Sequence, residues 1–123
     1  MSRRKGDLAE QMAMEYLVSR GFGILARNYT IRGAEVDIIA QEGDFIVFVE
    51  VKQRKTARFA TPRESVTIAK RRRMILAAER WLQGKGLLEA NIRFDIVEVL
   101  GGTVTLLRGA FDAAVLFCYS MEG

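Results

Sequence analysis

Four side chains within one short stretch have the types and spacing to do chemistry together: Glu35, Asp37, Glu50 and Lys52. They lie in two β-rich runs, Ile31 to Ala40 and Phe45 to Arg54, around the break Gln41-Glu42-Gly43-Asp44. Two such runs about a short polar break are a hairpin signal. Gly43-Asp44 suits a type II′ turn, which takes Gly at its first central position. In that register Asp37 falls opposite Glu50, and Glu35 opposite Lys52. Like charges directly opposite on a sheet are destabilising, so the Asp37–Glu50 pair calls for a cation. A divalent ion held by two carboxylates is one answer, and an oxygen ligand set with open water positions suits Mg²⁺ or Mn²⁺. Lys52, on the same side as Glu50, would then orient a water nucleophile or stabilise a developing oxyanion. The plainer reading is an ordinary Glu35–Lys52 cross-strand ion pair, with Asp37 and Glu50 solvated. Charge pattern alone does not separate the two. A Glu-x-Lys triplet is common, whereas an Asp in matching register on the preceding strand is more specific.

The elements that must hold these residues follow from periodicity. Strand alternation places Val36, Ile38 and Ala40 on one apolar face with Val47, Val49 and Val51. Ile39, Ile46 and Phe48 share the other face with the charges. Leu8, Ala9, Met12, Ala13, Tyr16 and Leu17 recur at helical spacing over residues 5–20, and Gly21 is a natural stop. Glu10 sits at the margin of that stripe, either solvated or leaning toward Asp37. A strand over Ile24–Thr30 precedes the hairpin. Thr61-Pro62-Arg63-Glu64 predicts a helix start with a capping box, and the helix should reach about Gln83, with Gly84 and Gly86 ending it. Val66, Lys70, Met74, Ala77, Ala78 and Trp81 fall on one stripe of it. Lys70 thus interrupts an apolar face; it either snorkels to the edge or brings its ammonium to the carboxylates or a bound phosphate. Strands over Asn91–Leu100 and Thr103–Leu107 follow, then a short helix over 112–119. The order αβββαβ, with helices on a mixed sheet, is an α/β sandwich.

The chain of 123 residues, half of them hydrophobic, fits one domain over 1–123, with residues 112–123 as a C-terminal extension. There is no histidine, which removes Ser-His-Asp and Cys-His catalysis and His-metal sites. The single cysteine, Cys118, excludes an internal disulfide and a Cys-cluster zinc site, and its apolar surroundings suggest a buried small hydrophobe. No secretory apolar region follows Met1-Ser2-Arg3-Arg4-Lys5 and no apolar run nears membrane-spanning length, so a soluble cytoplasmic protein is expected. The net charge is +4, and the excess is clustered. Lys52, Arg54, Lys55, Arg58, Arg63, Lys70, Arg71, Arg72 and Arg73 stand against Glu64 alone. That is a polyanion footprint or, more plainly, a solvated helix end.

Several spaced motifs agree at once with a known family. Gly6, Glu10 and Ala13 in the first helix, Asn28-Tyr29, Glu35-Val36-Asp37-Ile38-Ile39, Phe48-Val49-Glu50-Val51-Lys52-Gln53-Arg54, Lys70, and Arg93-Phe94-Asp95 make the chain resemble the YraN-like (UPF0102) proteins of bacteria. The resemblance runs from Gly6 to about Phe111; Ala34 departs from the Gly more usual before the Glu. These proteins are placed in the restriction-endonuclease-like superfamily, whose archaeal Holliday-junction resolvases begin similarly to Lys5-Gly6-Asp7-Leu8-Ala9-Glu10. The resemblance implies a restriction-endonuclease-like αβββαβ core. It also implies Mg²⁺ or Mn²⁺ held by Glu10, Asp37, Glu50 and the Val51 carbonyl, with Lys52 beside the attacking water; Glu35, from its place opposite Lys52, is expected to orient that lysine. The expectation is a metal-dependent endonuclease acting on DNA, branched or structured DNA included, with Arg54, Lys70, Arg71, Arg72 and Arg73 on backbone phosphates. A two-fold homodimer is what symmetric cutting of two strands favours, by analogy. The alternative is a nucleic-acid-binding protein that keeps the fold without the chemistry.

Overall fold

The Gly43-Asp44 turn sets the register of the sheet. Gly43 has φ 57° while Asp44 is not among the positive-φ residues, the combination a type II′ turn needs. From it, strands β2 (Ala34–Glu42) and β3 (Phe45–Arg54) pair antiparallel, with Glu42 opposite Phe45 through Ile38 opposite Val49, the register expected from sequence. The computed structural model describes residues 4–55, 61 and 64–113. Cys118, Arg58, Arg63 and most of the expected helix over 112–119 lie outside the described residues.

The full order is α1 (Arg4–Ser19), β1 (Gly23–Ile31), β2, β3, α2 (Ile68–Lys85), β4 (Asn91–Leu100) and β5 (Thr103–Phe111). The five strands lie side by side in sequence order; β3 and β4 are parallel and the other neighbours antiparallel. The parallel step needs a crossover, and α2 supplies it. The sheet is therefore covered on both faces. Ala9, Ala13 and Leu17 of α1 pack with Ile38, Ala40, Val47, Val49, Val97 and Val99. Met74, Ala77, Ala78 and Trp81 of α2 pack with Ile39, Phe48, Phe94 and Ile96. Both helices close on a glycine. Gly21 (φ 94°) follows α1, where Phe22 N–H donates to the Leu17 carbonyl at 3.0 Å. Gly86 (φ 69°) follows α2, where Leu87 N–H donates to the Leu82 carbonyl at 2.8 Å. In each case the chain's exit supplies donors to the last-turn carbonyls.

Three expectations change. Val36 packs with Ile39, Phe48 and Met74 under α2, rather than with Ile38 under α1. The observed β2–β3 ladder ends at Ile38–Val49, and beyond it β2 departs from regular alternation against β3. Helix α2 begins at Ile68, not at Pro62. The Thr61–Glu64 capping box does form, with Thr61 N–H donating to Glu64 Oε1 at 3.0 Å and Glu64 N–H to Thr61 Oγ1 at 3.2 Å. It closes a separate turn, and Thr67, whose hydroxyl accepts from Lys70 N–H at 3.1 Å, is the true N-cap. Strand β5 also runs past Leu107 to Phe111.

That longer β5 rests on an ion cluster built around one buried carboxylate. Asp95 is fully buried, on the face of β4 opposite Phe94 and Ile96. Arg93 clasps it with two bonds, Nε to Oδ1 at 2.8 Å and Nη2 to Oδ2 at 2.9 Å. Gly109 N–H also donates to Asp95 Oδ1 at 3.0 Å, at the point where the β4–β5 register shifts and Gly109 has φ 62°. Arg93 continues to Glu42 at 2.6 Å, and Arg108 forks onto the same carboxylate at 2.9 and 2.7 Å. The two guanidiniums hold the Glu42 carboxyl down at about 2. The Arg93-Phe94-Asp95 motif is thus a structural clasp. Asp95→Ala would leave Arg93 half-paired in the interior and is expected to cost about 3–5 kcal/mol in urea denaturation; a loss under about 1 kcal/mol would show the clasp to be idle.

Candidate functional site

The end of β3 carries the candidate residues because β2 parts from it there. Val51 N–H has a side chain as its acceptor: Asp37 Oδ2, at 2.8 Å. This bond brings the Asp37 carboxylate to the Glu50 backbone region, and the two carboxyls are close enough to perturb each other. Glu50 shares the α2-side face with Ile46 and Phe48 and is only 5% exposed. Burial first, then the charge of Asp37, pushes its carboxyl up to about 8, against the pull of Lys70 and Lys52.

Helix α2 reaches this pair through its first turn. Lys70 Nζ lies 3.4 Å from Glu50 Oε1, so Lys70 does not simply snorkel away. The turn itself is pinned by the Thr67 cap, by Arg71 Nε donating to the Val66 carbonyl at 3.0 Å, and by the Arg71 guanidinium over the Phe111 ring at 5.4 Å. Arg72 and Arg73 are exposed on the next turn. Arg54 is engaged elsewhere: its Nη1 lies 3.0 Å from Glu98 Oε2, with both side chains largely buried. Lys52 is half-buried, lies beside Glu98 in the parallel ladder, and stabilises the ionised form of Glu50.

Two expected relations take another form. Glu35 is exposed, is paired with Thr30 of β1, and forms no ion pair with Lys52 among the described residues. Glu10 is 8% exposed on α1, packed on the opposite face of the sheet from α2. Among the described residues no group of three or more Asp, Glu, His or Cys side chains is placed to hold one ion. The site the structure assembles is therefore Asp37 and Glu50, with Lys70 on Glu50 and Lys52 nearby.

A hard divalent cation fits this pair in donor type. Both side chains offer oxygen, and Glu50 Oε1 is buried with the Lys70 ammonium 3.4 Å away but accepts no hydrogen bond. Two carboxylates leave most of a six-oxygen shell to water, backbone carbonyl or substrate, the usual habit of Mg²⁺. Glu98 was the residue missed in reading the sequence. Its signal was there: it continues the Phe94, Ile96 alternation as a charge on an otherwise apolar face.

An α/β domain with a mixed five-stranded sheet and a half-buried carboxylate pair under a basic helix is the class these features define. Within it, the chain belongs to the family described as Uncharacterised protein family UPF0102, which matches residues 9–99 and so spans every candidate from Glu10 to Glu98. It is similar to a UPF0102 protein of Symbiobacterium thermophilum, 47% identical over 92% of this chain and 100% of the relative. It is also similar to one of Desulforapulum autotrophicum, 42% identical over 89% and 94% of the two chains. A third, from Myxococcus xanthus, is 38% identical over 92% and 93%. No helix among the described residues is long and apolar enough to cross a membrane.

Proposed function

We propose that this protein is a metal-dependent phosphodiesterase acting on nucleic acid, with DNA, branched or structured DNA included, as its substrate. The observation that carries the reading is the Asp37–Glu50 pair, two carboxyls close enough to disturb each other beneath the basic first turns of α2. Like charges so placed are stabilised by a shared dication. Asp37 and Glu50 would hold Mg²⁺ or Mn²⁺, with the Val51 carbonyl as a further oxygen by resemblance to the restriction-endonuclease-like superfamily. When bound, such an ion supplies charge at the scissile phosphate and makes its water more acidic. Lys52 would orient the attacking water. Lys70 would release Glu50 and turn its ammonium to a phosphate oxygen, while the exposed Arg72 and Arg73 hold the flanking backbone. A two-fold pair of copies suits symmetric cutting of a junction.

Incubating the purified protein with junction, flap, single-stranded and duplex DNA tests this. Cleavage of at least one is expected with Mg²⁺ or Mn²⁺ and none with chelator, and binding should weaken steeply with salt. No cleavage of any substrate sinks the catalytic reading. One observation favours a second reading, a non-catalytic nucleic-acid-binding module: the Lys70 ammonium already stands 3.4 Å from Glu50 Oε1, where an ion would sit. That reading expects the same salt-sensitive binding, with no heat of Mn²⁺ binding in titration calorimetry.

A further inference from the structure

One residue outside the carboxylate pair has a backbone conformation that its position in a strand does not call for. Asn28, in the middle of β1, has φ 52° and is the only non-glycine residue with positive φ among those described. Asn tolerates the left-handed region better than most side chains, but a strand does not use it. Its place is not arbitrary. Arg27 pairs with Ile38 and Tyr29 with Val36, so counting along the ladder sets Asn28 opposite Asp37, yet no pair joins those two. On its other edge β2 leaves the β3 ladder after Ile38–Val49. Strand β2 therefore loses both neighbours at one residue, and that residue is Asp37.

The packing shows the same break in both strands. Ala26 and Tyr29 pack with the α2-side cluster, as do their ladder partners Ile39 and Val36. Side chains alternate along a regular strand, so residues three apart belong on opposite faces. Ile38, the partner of Arg27, packs under α1, which leaves Asn28 and Asp37 as the extra residue of each strand. An extra residue makes a bulge; bulges bend the strand, re-aim a side chain and gather next to active sites. Here the re-aimed side chain is Asp37, whose Oδ2 accepts from Val51 N–H of β3 at 2.8 Å.

We infer that Asn28 is a positioning residue for the proposed metal site: its left-handed backbone bends β1 to follow β2 away from β3, and so holds the Asp37 carboxylate on Val51 N–H, beside Glu50. Its bearing on metal binding rests on the reading above; the placement of Asp37 does not. Without the bend, β1 would run straight past residue 37, re-form the missing pair and draw β2 back to regular alternation. That would return Asp37 to one face of the sheet and take its carboxylate from Val51. Strand β1 is also an edge of the sheet, and edges use bulges to blunt themselves. That purpose would be served anywhere along β1, whereas this bulge faces the carboxylate that leaves both ladders.

The test is amide hydrogen exchange at Val51, read by NMR on the full-length protein without metal, followed by Mn²⁺ titration of the same samples. Asn28→Gly keeps the left-handed backbone without strain. Asn28→Val does not, since a β-branched residue is an outlier there. In Asn28→Val the Val51 amide is expected to exchange about tenfold faster or more, beyond any change shared by Val47 and Val49, approaching its rate in Asp37→Ala. In Asn28→Gly it should stay within about threefold of wild type. Mn²⁺ affinity should follow the same order, about tenfold weaker in the Val variant and within about threefold of wild type in the Gly variant. If thermal unfolding shows that Asn28→Val does not fold, Asn28→Ala, strained but smaller, takes its place in the same comparison. A role confined to blunting the edge moves the Val47, Val49 and Val51 amides together, and that outcome overturns the inference. Equal loss of Val51 protection in the Gly variant also overturns it, because the side chain and not the backbone would then be responsible. So does an Mn²⁺ affinity that stays at the wild-type value in Asn28→Val. No Mn²⁺ binding by the wild type sinks the metal reading alone, and the exchange rates still decide the placement of Asp37.

Discussion

Replacing Asp37 with Asn is expected to abolish metal-dependent cleavage while leaving the fold in place. The two consequences separate because Asp37 has two jobs. Its Oδ2 accepts from Val51 N–H at 2.8 Å, and an Asn carbonyl oxygen can do the same. Its charge is what a dication would need beside Glu50, and Asn lacks it. A bound ion and its oriented water contribute several kcal/mol to a phosphoryl transition state. At 1.36 kcal/mol per tenfold, losing about 4 kcal/mol lowers the rate roughly 10³-fold. Asp37→Ala should be equally inactive but also less stable by about 1–3 kcal/mol, since Val51 N–H then loses its acceptor in a part-buried place. The measurements are single-turnover cleavage and urea denaturation on both variants, with DNA binding as the control. An Asn variant that cleaves within tenfold of wild type would remove Asp37 from the chemistry.

The hairpin at the centre was legible because a turn and an alternation each gave the same register. Gly43 takes the positive φ that the two-residue loop required, and Ile38 lies opposite Val49 as the count from that turn demands. The count stopped being informative at Asp37. There a side chain replaces a backbone partner on Val51, and no pattern of residue types announces such an exchange. That is why the β2–β3 ladder ends at Ile38–Val49, and Glu35, expected opposite Lys52, keeps only its Thr30 partner on β1. The helix start differs from its sequence signal for a related reason. Thr61 and Glu64 do make the reciprocal bonds of a capping box, but those bonds close one turn as readily as they open a helix. The α2 stripe was read correctly as far as Lys70, and its two open meanings are settled by a distance of 3.4 Å to Glu50. Burial of Glu98 and Asp95 was out of reach. It depends on β4 lying parallel to β3 with a helix on each face, a pairing between residues 46 apart in the chain that local sequence does not announce. A charge on an alternating strand announces which side it is on, never how deep it lies.

Glu50→Gln is expected to make the metal-free protein more stable, increasingly so as the pH rises. Glu50 is pushed up from an ordinary 4.5 to about 8, chiefly by burial and then by Asp37. Below about 4.5 the carboxyl is protonated whether the chain is folded or not, so it contributes no pH dependence. Between about 4.5 and 8 the unfolded chain has lost this proton and the folded chain keeps it. Stability therefore falls with rising pH by up to 1.36 kcal/mol per pH unit, and the fall levels off above about 8. The accumulated loss has an upper bound of roughly 5 kcal/mol, with the pull of Lys70 and Lys52 already contained in the value of about 8. A carboxamide resembles the protonated form at every pH. The variant should match wild type near pH 4.5 and exceed it by about 2–4 kcal/mol at pH 9, in urea denaturation with chelator present. Saturating Mn²⁺ should close that gap from the wild-type side only, because the ion binds the folded carboxylate pair and Gln offers it little. Such a residue, costly to the empty fold and absent from the hydrophobic packing it interrupts, is better placed for a ligand than for the sheet. Equal stability of the two proteins at pH 9, with chelator present, would mean that ionising Glu50 costs the fold nothing, and the proposed dication would lose its energetic ground.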